Sequence, residues 1–166
     1  MIKLVIFDRD DTLNIDVGFT FKKEDCNLVR GAKELVDFIK LSGMKISIAS
    51  NQSGVGEGFY SLDQMQKFNQ MLFEKLELPC DTFFAYCPHP REMDRRCACR
   101  KPSPYLILDA CKKYDVSPVE TVFIGDSKTD ELAAERAGCK FIHVDPEVGH
   151  EKTVGLLKKM IVSESS

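Results

Sequence analysis

The sequence predicts an α/β fold, a doubly wound parallel sheet with helices on both faces, and three observations carry that reading. Short, continuous apolar runs recur along the chain, apolar residues at helical spacing separate them, and several runs end in polar residues suited to binding an ion or a phosphate. Unbroken apolar runs suit strands buried on both faces; a half-exposed sheet would alternate.

Taken in order, Lys3 to Phe7 is the first strand. Gly31 to Leu41 follows as a helix, with Ala32, Leu35, Val36 and Ile39 on one face and Gly43 as its stop. Lys45 to Ala49 is the second strand. Ser61 and Gln64 form a capping box for a helix that reaches about Leu76, where Met65, Phe68 and Leu72 point inward as core. Further strands are expected at Thr82 to Tyr86, Thr121 to Ile124 and Lys140 to Val144. Helices near 104–114, 129–137 and 151–161 separate or follow them.

Composition limits the function. The 166 residues suit one domain spanning 1–166, and 43% hydrophobic with 30% charged residues is ordinary for a soluble globular protein. A net charge of −3 without a basic block argues against nucleic acid or an acidic membrane as partner. No stretch approaches the ~20 apolar residues of a membrane span, and Leu4 to Phe7 is too short for a signal-peptide core. Seven cysteines, an odd number without secretory signals, point to a reduced, cytoplasmic compartment and to metal rather than disulfides. A monomer is expected, and the tail Ser163–Ser166 reads as frayed.

In a parallel sheet, ligands bind beyond the carboxyl ends of the strands. Asp8, Ser50 and Asp126 are each expected just past such an end, so three polar positions converge on one rim. Asp8 and Asp10 fall on the same side of an extended chain. Carboxylates placed together repel, which calls for an ion or a shared proton, and oxygen-only ligands suit magnesium. Ser50 and Lys101 add a hydroxyl and a fixed cation for phosphoryl oxygens.

A second constellation lies in one loop. Cys87, His89, Cys97 and Cys99 provide three thiolates and an imidazole, the donor set of a closed structural zinc site. Cys26, Cys80, Cys111 and Cys139 have no such grouping and read as ordinary thiols. The loop 87–99 runs directly into Arg100-Lys101-Pro102, so folding it around zinc would position Lys101.

The ordered set Asp8-x-Asp10-x-Thr12, Ser50-Asn51, Lys101 and Gly125-Asp126-(x)3-Asp130 resembles the motifs of the haloacid dehalogenase superfamily, over roughly residues 3 to 145. The resemblance implies that family's Rossmann-like core and a phosphatase that forms an aspartyl-phosphate on Asp8. Asp10 would be general acid and then base, and Ser50 and Lys101 would hold phosphate oxygens. Magnesium would sit among Asp8, Asp126 and the backbone carbonyl of Asp10, with Asp130 orienting the loop or a metal-bound water rather than binding the metal directly. Asn51, Arg100 and Thr12 are assigned to the substrate, a small phosphate ester. Asp11 departs from the glycine common in the family, and an aspartate tolerates unusual backbone angles better than most residues.

The intervals from Thr12 to Ser50 and from Ser50 to Lys101 leave no room for a separate cap domain, so loops at about 15–30, 53–60 and 87–100 must roof the site. Cys-x-His…Cys-x-Cys-Arg-Lys-Pro with Asn51-Gln52-Ser53-Gly54 resembles a narrower branch, which contains the bacterial D-glycero-D-manno-heptose 1,7-bisphosphate phosphatases and the histidinol-phosphate phosphatases. Residues 14–19 and 54–60 favour the heptose enzymes, so removal of the 7-phosphate is the preferred reading. A shorter zinc loop favours histidinol phosphate. Glu57, where the heptose enzymes usually carry arginine, sets an acid near a second phosphate and counts against a bisphosphate. A catalytically idle zinc-stabilised binding domain is the reading from another class, and the full set of candidate catalytic residues argues against it.

Overall fold

The structure, a computed structural model, describes residues 1–93 and 97–162. The tail 163–166 and residues 94–96 of the expected zinc loop lie outside the described residues.

Five parallel strands form one sheet: β1 (Leu4–Phe7), β2 (Lys45–Asn51), β3 (Phe83–Cys87), β4 (Thr121–Gly125) and β5 (Lys140–His143), in the order β3-β2-β1-β4-β5. Leu4 pairs with Lys45 on one side and Thr121 on the other, so β1 is central and its register is fixed twice. The chain winds outward from β1 to β3, then returns to lay β4 against the opposite side of β1. That reversal opens a crevice between the carboxyl ends of β1 and β4, where a parallel α/β sheet holds its ligand.

The two sides of β1 organise two cores. Val5 and Phe7 face α1 (Ala32–Leu41), α3 (Leu62–Leu76) and α6 (Glu151–Val162), through Leu35, Ile39, Phe68, Leu72 and Leu157. Leu4 and Ile6 face α4 (Tyr105–Tyr114) and α5 (Lys128–Ala137), through Leu106, Ile107, Ala110, Ala133 and Ala134. Each fully buried aliphatic side chain contributes about 1.5–3 kcal/mol, so both helix layers are held to the sheet mainly by apolar burial. The small alanines of α5 let that helix lie close to β4 and β5.

The expected helices and strands are present, with two informative differences. Strand β2 does not stop at Ala49; it continues through Ser50 and Asn51 because these pair with Tyr86 and Cys87 of β3. A short helix, α2 (Ser53–Gly56), follows at once and begins the roof over the site. Both ends of the predicted capping box on α3 are made, Gln64 N to Ser61 Oγ at 3.2 Å and Ser61 N to Gln64 Oε1 at 2.8 Å. Between Thr12 and Ser50 the chain holds little beyond α1, and between Ser50 and Lys101 little beyond α2, α3 and β3. Among the described residues there is no cap domain. Among the described residues, no helix is long and apolar enough to cross a membrane.

Candidate active site

Asp8 follows the last residue of β1, and its backbone N–H bonds to Ile124 O of β4 at 2.8 Å, which seats it in the crevice. Its Oδ1 accepts from Lys101 Nζ at 2.8 Å, and the same ammonium donates to Asp130 Oδ1 at 2.6 Å. All three side chains are buried or nearly so. Burial pushes the Asp8 carboxyl well above its usual range, and Lys101 only partly offsets this. Burial alone would lower the Lys101 ammonium, yet Asp8 and then Asp130 hold it well above its ordinary value, so it stays charged.

Asp130 is fixed from below by a second capping box, on α5. Its Oδ2 accepts from Ser127 N at 3.2 Å and from Ser127 Oγ at 2.7 Å. Gly125 makes this approach possible, because a Cβ there would lie 2.6 Å from Asp130 Oδ2. Asp126, the next residue, is pushed up to about 6, first by burial and then by Asp130 and Asp11. Carboxylate oxygens of Asp8, Asp126 and Asp130 lie within 4.8 Å of one another. Crowded acids with raised proton affinity are what a hard divalent cation would relieve, so the donor set fits magnesium. Both Asp130 oxygens already have protein partners, which leaves Asp8 and Asp126 as the better side-chain ligands.

Asp10 is held by donors the sequence did not single out. Arg9 reaches it with Nε to Oδ1 and Nη2 to Oδ2, both at 3.0 Å; Asn14 Nδ2 and Gln52 Nε2 each add a bond at 3.0 Å. Arg9 is wholly buried, lies over the Phe68 ring, and also donates to Asn69 Oδ1 and Thr20 O. Gln52 ties the group together: Nε2 also reaches Ser50 Oγ at 2.8 Å, and Oε1 accepts from the Tyr60 hydroxyl at 2.8 Å. One signal was available. A cation between two acids directly after a buried strand needs a buried counterion, and Asp10 is the adjacent candidate.

Asn51 grips the backbone of Lys101 from both sides, Lys101 N to Oδ1 at 3.0 Å and Nδ2 to Lys101 O at 3.1 Å. The cysteine–histidine cluster begins at Cys87, the last residue of β3 and the strand partner of Asn51. Cys87 Sγ, His89 Nδ1, Cys97 Sγ and Cys99 Sγ are separated by 3.1–3.4 Å along the contacts they make. Four donors about 2.0–2.3 Å from a tetrahedral zinc would be roughly 3.5 Å apart, so this cluster fits zinc. Asn51 and the cluster therefore meet at the segment that carries Lys101.

Two adjoining hollows open at the rim. One, of about 220 Å³, is lined by Asp8, Asp10, Ser50, Asn51, Lys101 and Asp126. The other, of about 280 Å³, shares Asp10, Asp16 and Asn51 with it and extends to Phe19, Tyr60, Arg91 and Arg100. Phe19 stacks on Phe59 at 4.2 Å and lies under the Arg91 guanidinium at 5.0 Å, so all three predicted roof loops meet there. A larger hollow of about 600 Å³, between α3 and β3, contains none of these carboxylates.

Thr12 is wholly buried and lines neither hollow, and its carbonyl accepts the buried His150 Nε2 at 2.7 Å. Glu57 does not line the second hollow. Its Oε1 takes Arg91 N at 3.1 Å and Arg91 Nε at 3.0 Å, which lowers its proton affinity.

Residues 98–159 match a family model described as HAD-hydrolase-like. The chain is 37% identical over 142 residues to a D-glycero-beta-D-manno-heptose-1,7-bisphosphate 7-phosphatase of Helicobacter pylori, covering 83% of this chain and 80% of that one. It is 35% identical over 150 residues to the D-glycero-alpha-D-manno counterpart of Photorhabdus laumondii, covering 82% and 79%. Among solved structures, the D,D-heptose 1,7-bisphosphate phosphatase of B. bronchiseptica, complexed with magnesium and phosphate, superposes with a TM-score of 0.75 at 29% identity, covering 84% and 79%.

Proposed function

We propose that this chain, a phosphatase that belongs to the HAD-like hydrolases and within them to the D-glycero-D-manno-heptose-1,7-bisphosphate 7-phosphatase family, removes the 7-phosphate of that sugar bisphosphate through an aspartyl-phosphate on Asp8. One observation carries the chemistry: the buried Asp8 carboxylate is held by Lys101 in the same hollow that Asp10, Ser50 and Asp126 line. We read residues 1–166 as one catalytic domain.

Asp8, Asp126 and the backbone carbonyl of Asp10 would hold magnesium, which would supply the charge that lets an anionic nucleophile meet an anionic phosphate. Lys101 adds fixed positive charge beside Asp8 and with Ser50 and Asn51 receives the phosphoryl oxygens. An Asp8 oxygen attacks phosphorus, the bond from phosphorus to the sugar oxygen breaks, and Asp10 gives that oxygen its proton. Asp10, now ionised, takes a proton from the water that attacks the phosphoenzyme, and inorganic phosphate leaves. Arg9, Asn14 and Gln52 keep Asp10 aimed at the hollow through both half-reactions. Cys87, His89, Cys97 and Cys99 would hold zinc, which would take no part in bond making and would fix the segment before Lys101.

The test is a comparison of kcat/KM for the alpha and beta anomers of heptose 1,7-bisphosphate, heptose 7-phosphate and histidinol phosphate, with the product's phosphorus NMR spectrum identifying the bond cleaved. A heptose bisphosphate is expected to be the best substrate and to retain its 1-phosphate. A higher efficiency on histidinol phosphate would overturn the substrate assignment.

A further inference from the structure

Gln52 commits both of its amide hydrogens to residues of the reaction. Nε2 donates to Asp10 Oδ2 at 3.0 Å and to Ser50 Oγ at 2.8 Å. Because Ser50 Oγ accepts that bond, its own hydrogen is directed to another acceptor. Ser50 lines the first hollow, where the phosphoryl oxygens would supply one. Gln52 is buried and its backbone N–H is tied to Cys87 O at 2.8 Å, so the side chain starts from a fixed point on the sheet.

An amide keeps nearly the same shape when its oxygen and nitrogen are exchanged, so packing alone does not choose which end faces Asp10. Hydrogen bonding does. The Tyr60 hydroxyl donates to Gln52 Oε1 at 2.8 Å, and burial pushes that phenol up to about 12, so it keeps its hydrogen. Exchanged, the amide oxygen would face the Asp10 carboxylate, and the Tyr60 hydrogen would face an NH2 group.

Tyr60 is itself held in place. It is buried, and its ring stacks on Phe21 with centroids 5.0 Å apart. Gly54 leaves room for that ring, since a Cβ there would lie 2.2 Å from Tyr60 Cε1. A turn closed by Phe59 N to Gly54 O at 2.9 Å brings the tyrosine back over α2.

We propose that Tyr60 is a positioning residue for the reaction and acts through Gln52. Its hydroxyl locks the amide that aims the Asp10 carboxyl and turns the Ser50 hydroxyl toward the phosphoryl group. This inference rests on the roles given above to Asp10 and Ser50. Tyr60 also lines the second hollow, so direct contact with substrate is the competing role. The two roles differ in what happens once the Gln52 amide is gone.

The test is a cycle of Tyr60→Phe, Gln52→Met and the double variant, with kcat and KM measured on heptose 1,7-bisphosphate. Zinc content and thermal midpoint report the fold of each variant. Tyr60→Phe keeps the ring and should lower kcat about tenfold, the loss of one buried hydrogen bond, with KM changed less than about twofold. Gln52→Met withdraws both donors and should lower kcat further. The double variant should match Gln52→Met, because the hydroxyl has no amide left to hold. The same loss from Tyr60→Phe with and without Gln52, or a change confined to KM, would place the tyrosine on the substrate and overturn the proposal. So would a wild-type kcat in Tyr60→Phe, even with a lowered thermal midpoint; in each of these cases the phosphatase reading would stand. A wild type that releases no phosphate from this substrate would remove that reading as well.

Discussion

Lys101 holds the most consequential pair of contacts in the molecule, because one buried ammonium compensates both Asp8 and Asp130. Removing a partner from a buried ion pair typically costs about 3–5 kcal/mol. Lys101→Met should therefore lose both turnover and about that much stability in urea unfolding. Asp8→Asn keeps the hydrogen-bonding shape and should abolish turnover while leaving the fold and zinc content intact; activity comparable to wild type would remove Asp8 as nucleophile. Arg9→Met frees Asp10 from its fork and should lower kcat about tenfold or more, with a smaller change in KM. Asp126 gives a pH dependence. Burial, then Asp130 and Asp11, raise its folded proton affinity to about 6 from the ordinary 3.8. The folded state thus binds that proton more tightly than the unfolded chain, and metal-free stability should fall as pH rises from about 4 through 6. Magnesium reverses the trend, so the thermal shift it produces should be larger above pH 6 than below. A magnesium shift independent of pH across that window would remove Asp126 as a ligand. At this scale Asp8 and Asp126 stood out because each directly follows a readable strand, and Lys101 because it stands in the order of the family's motifs. Arg9 and Gln52 did not, since only the folded chain shows which neighbours a polar side chain reaches across the rim.

Element by element, the site depends on how loops are tied to strand ends. Strand β3 ends on Cys87, whose carbonyl accepts Gln52 N at 2.8 Å, so the sheet itself joins the cysteine–histidine cluster to the Ser50–Gln52 segment. Cys99→Ser should lose zinc, loosen the segment before Lys101 and lower kcat more than KM; normal turnover in zinc-free protein would refute the positioning role. Gly56→Ala drives a methyl into Pro88 and Pro90. It should cost about 1–3 kcal/mol, as overpacking does, and weaken the seat of the loop on α2. The capping box on α3 was legible because Ser61 and Gln64 stand at the required spacing before an apolar stripe. The extension of β2 through Asn51 was not. Ser50 and Asn51 look like loop residues in sequence and become strand residues only by pairing with Tyr86 and Cys87.

For the molecule as a whole, the alternation of runs and helices sufficed for the architecture, since continuous apolar strands need helices on both faces. The short intervals between motifs likewise sufficed to exclude a cap domain. Two tertiary contacts escaped the sequence, the Glu57–Arg91 pair and the His150–Thr12 bond. Without a cap domain among the described residues, the roof is the meeting of Phe19, Phe59 and Arg91 from separate loops. In the reaction proposed for this chain, phosphate passes through a covalent bond to Asp8 and turnover depends on magnesium. The most direct measurement is rapid acid quench of wild-type enzyme turning over heptose 1,7-bisphosphate with magnesium, followed by mass spectrometry of its peptides. The peptide carrying Asp8 should gain the mass of one phosphoryl group at least as fast as phosphate appears, and Asp8→Asn should gain none. Phosphate release with no modified peptide, or with the modification on another residue, would contradict the claim.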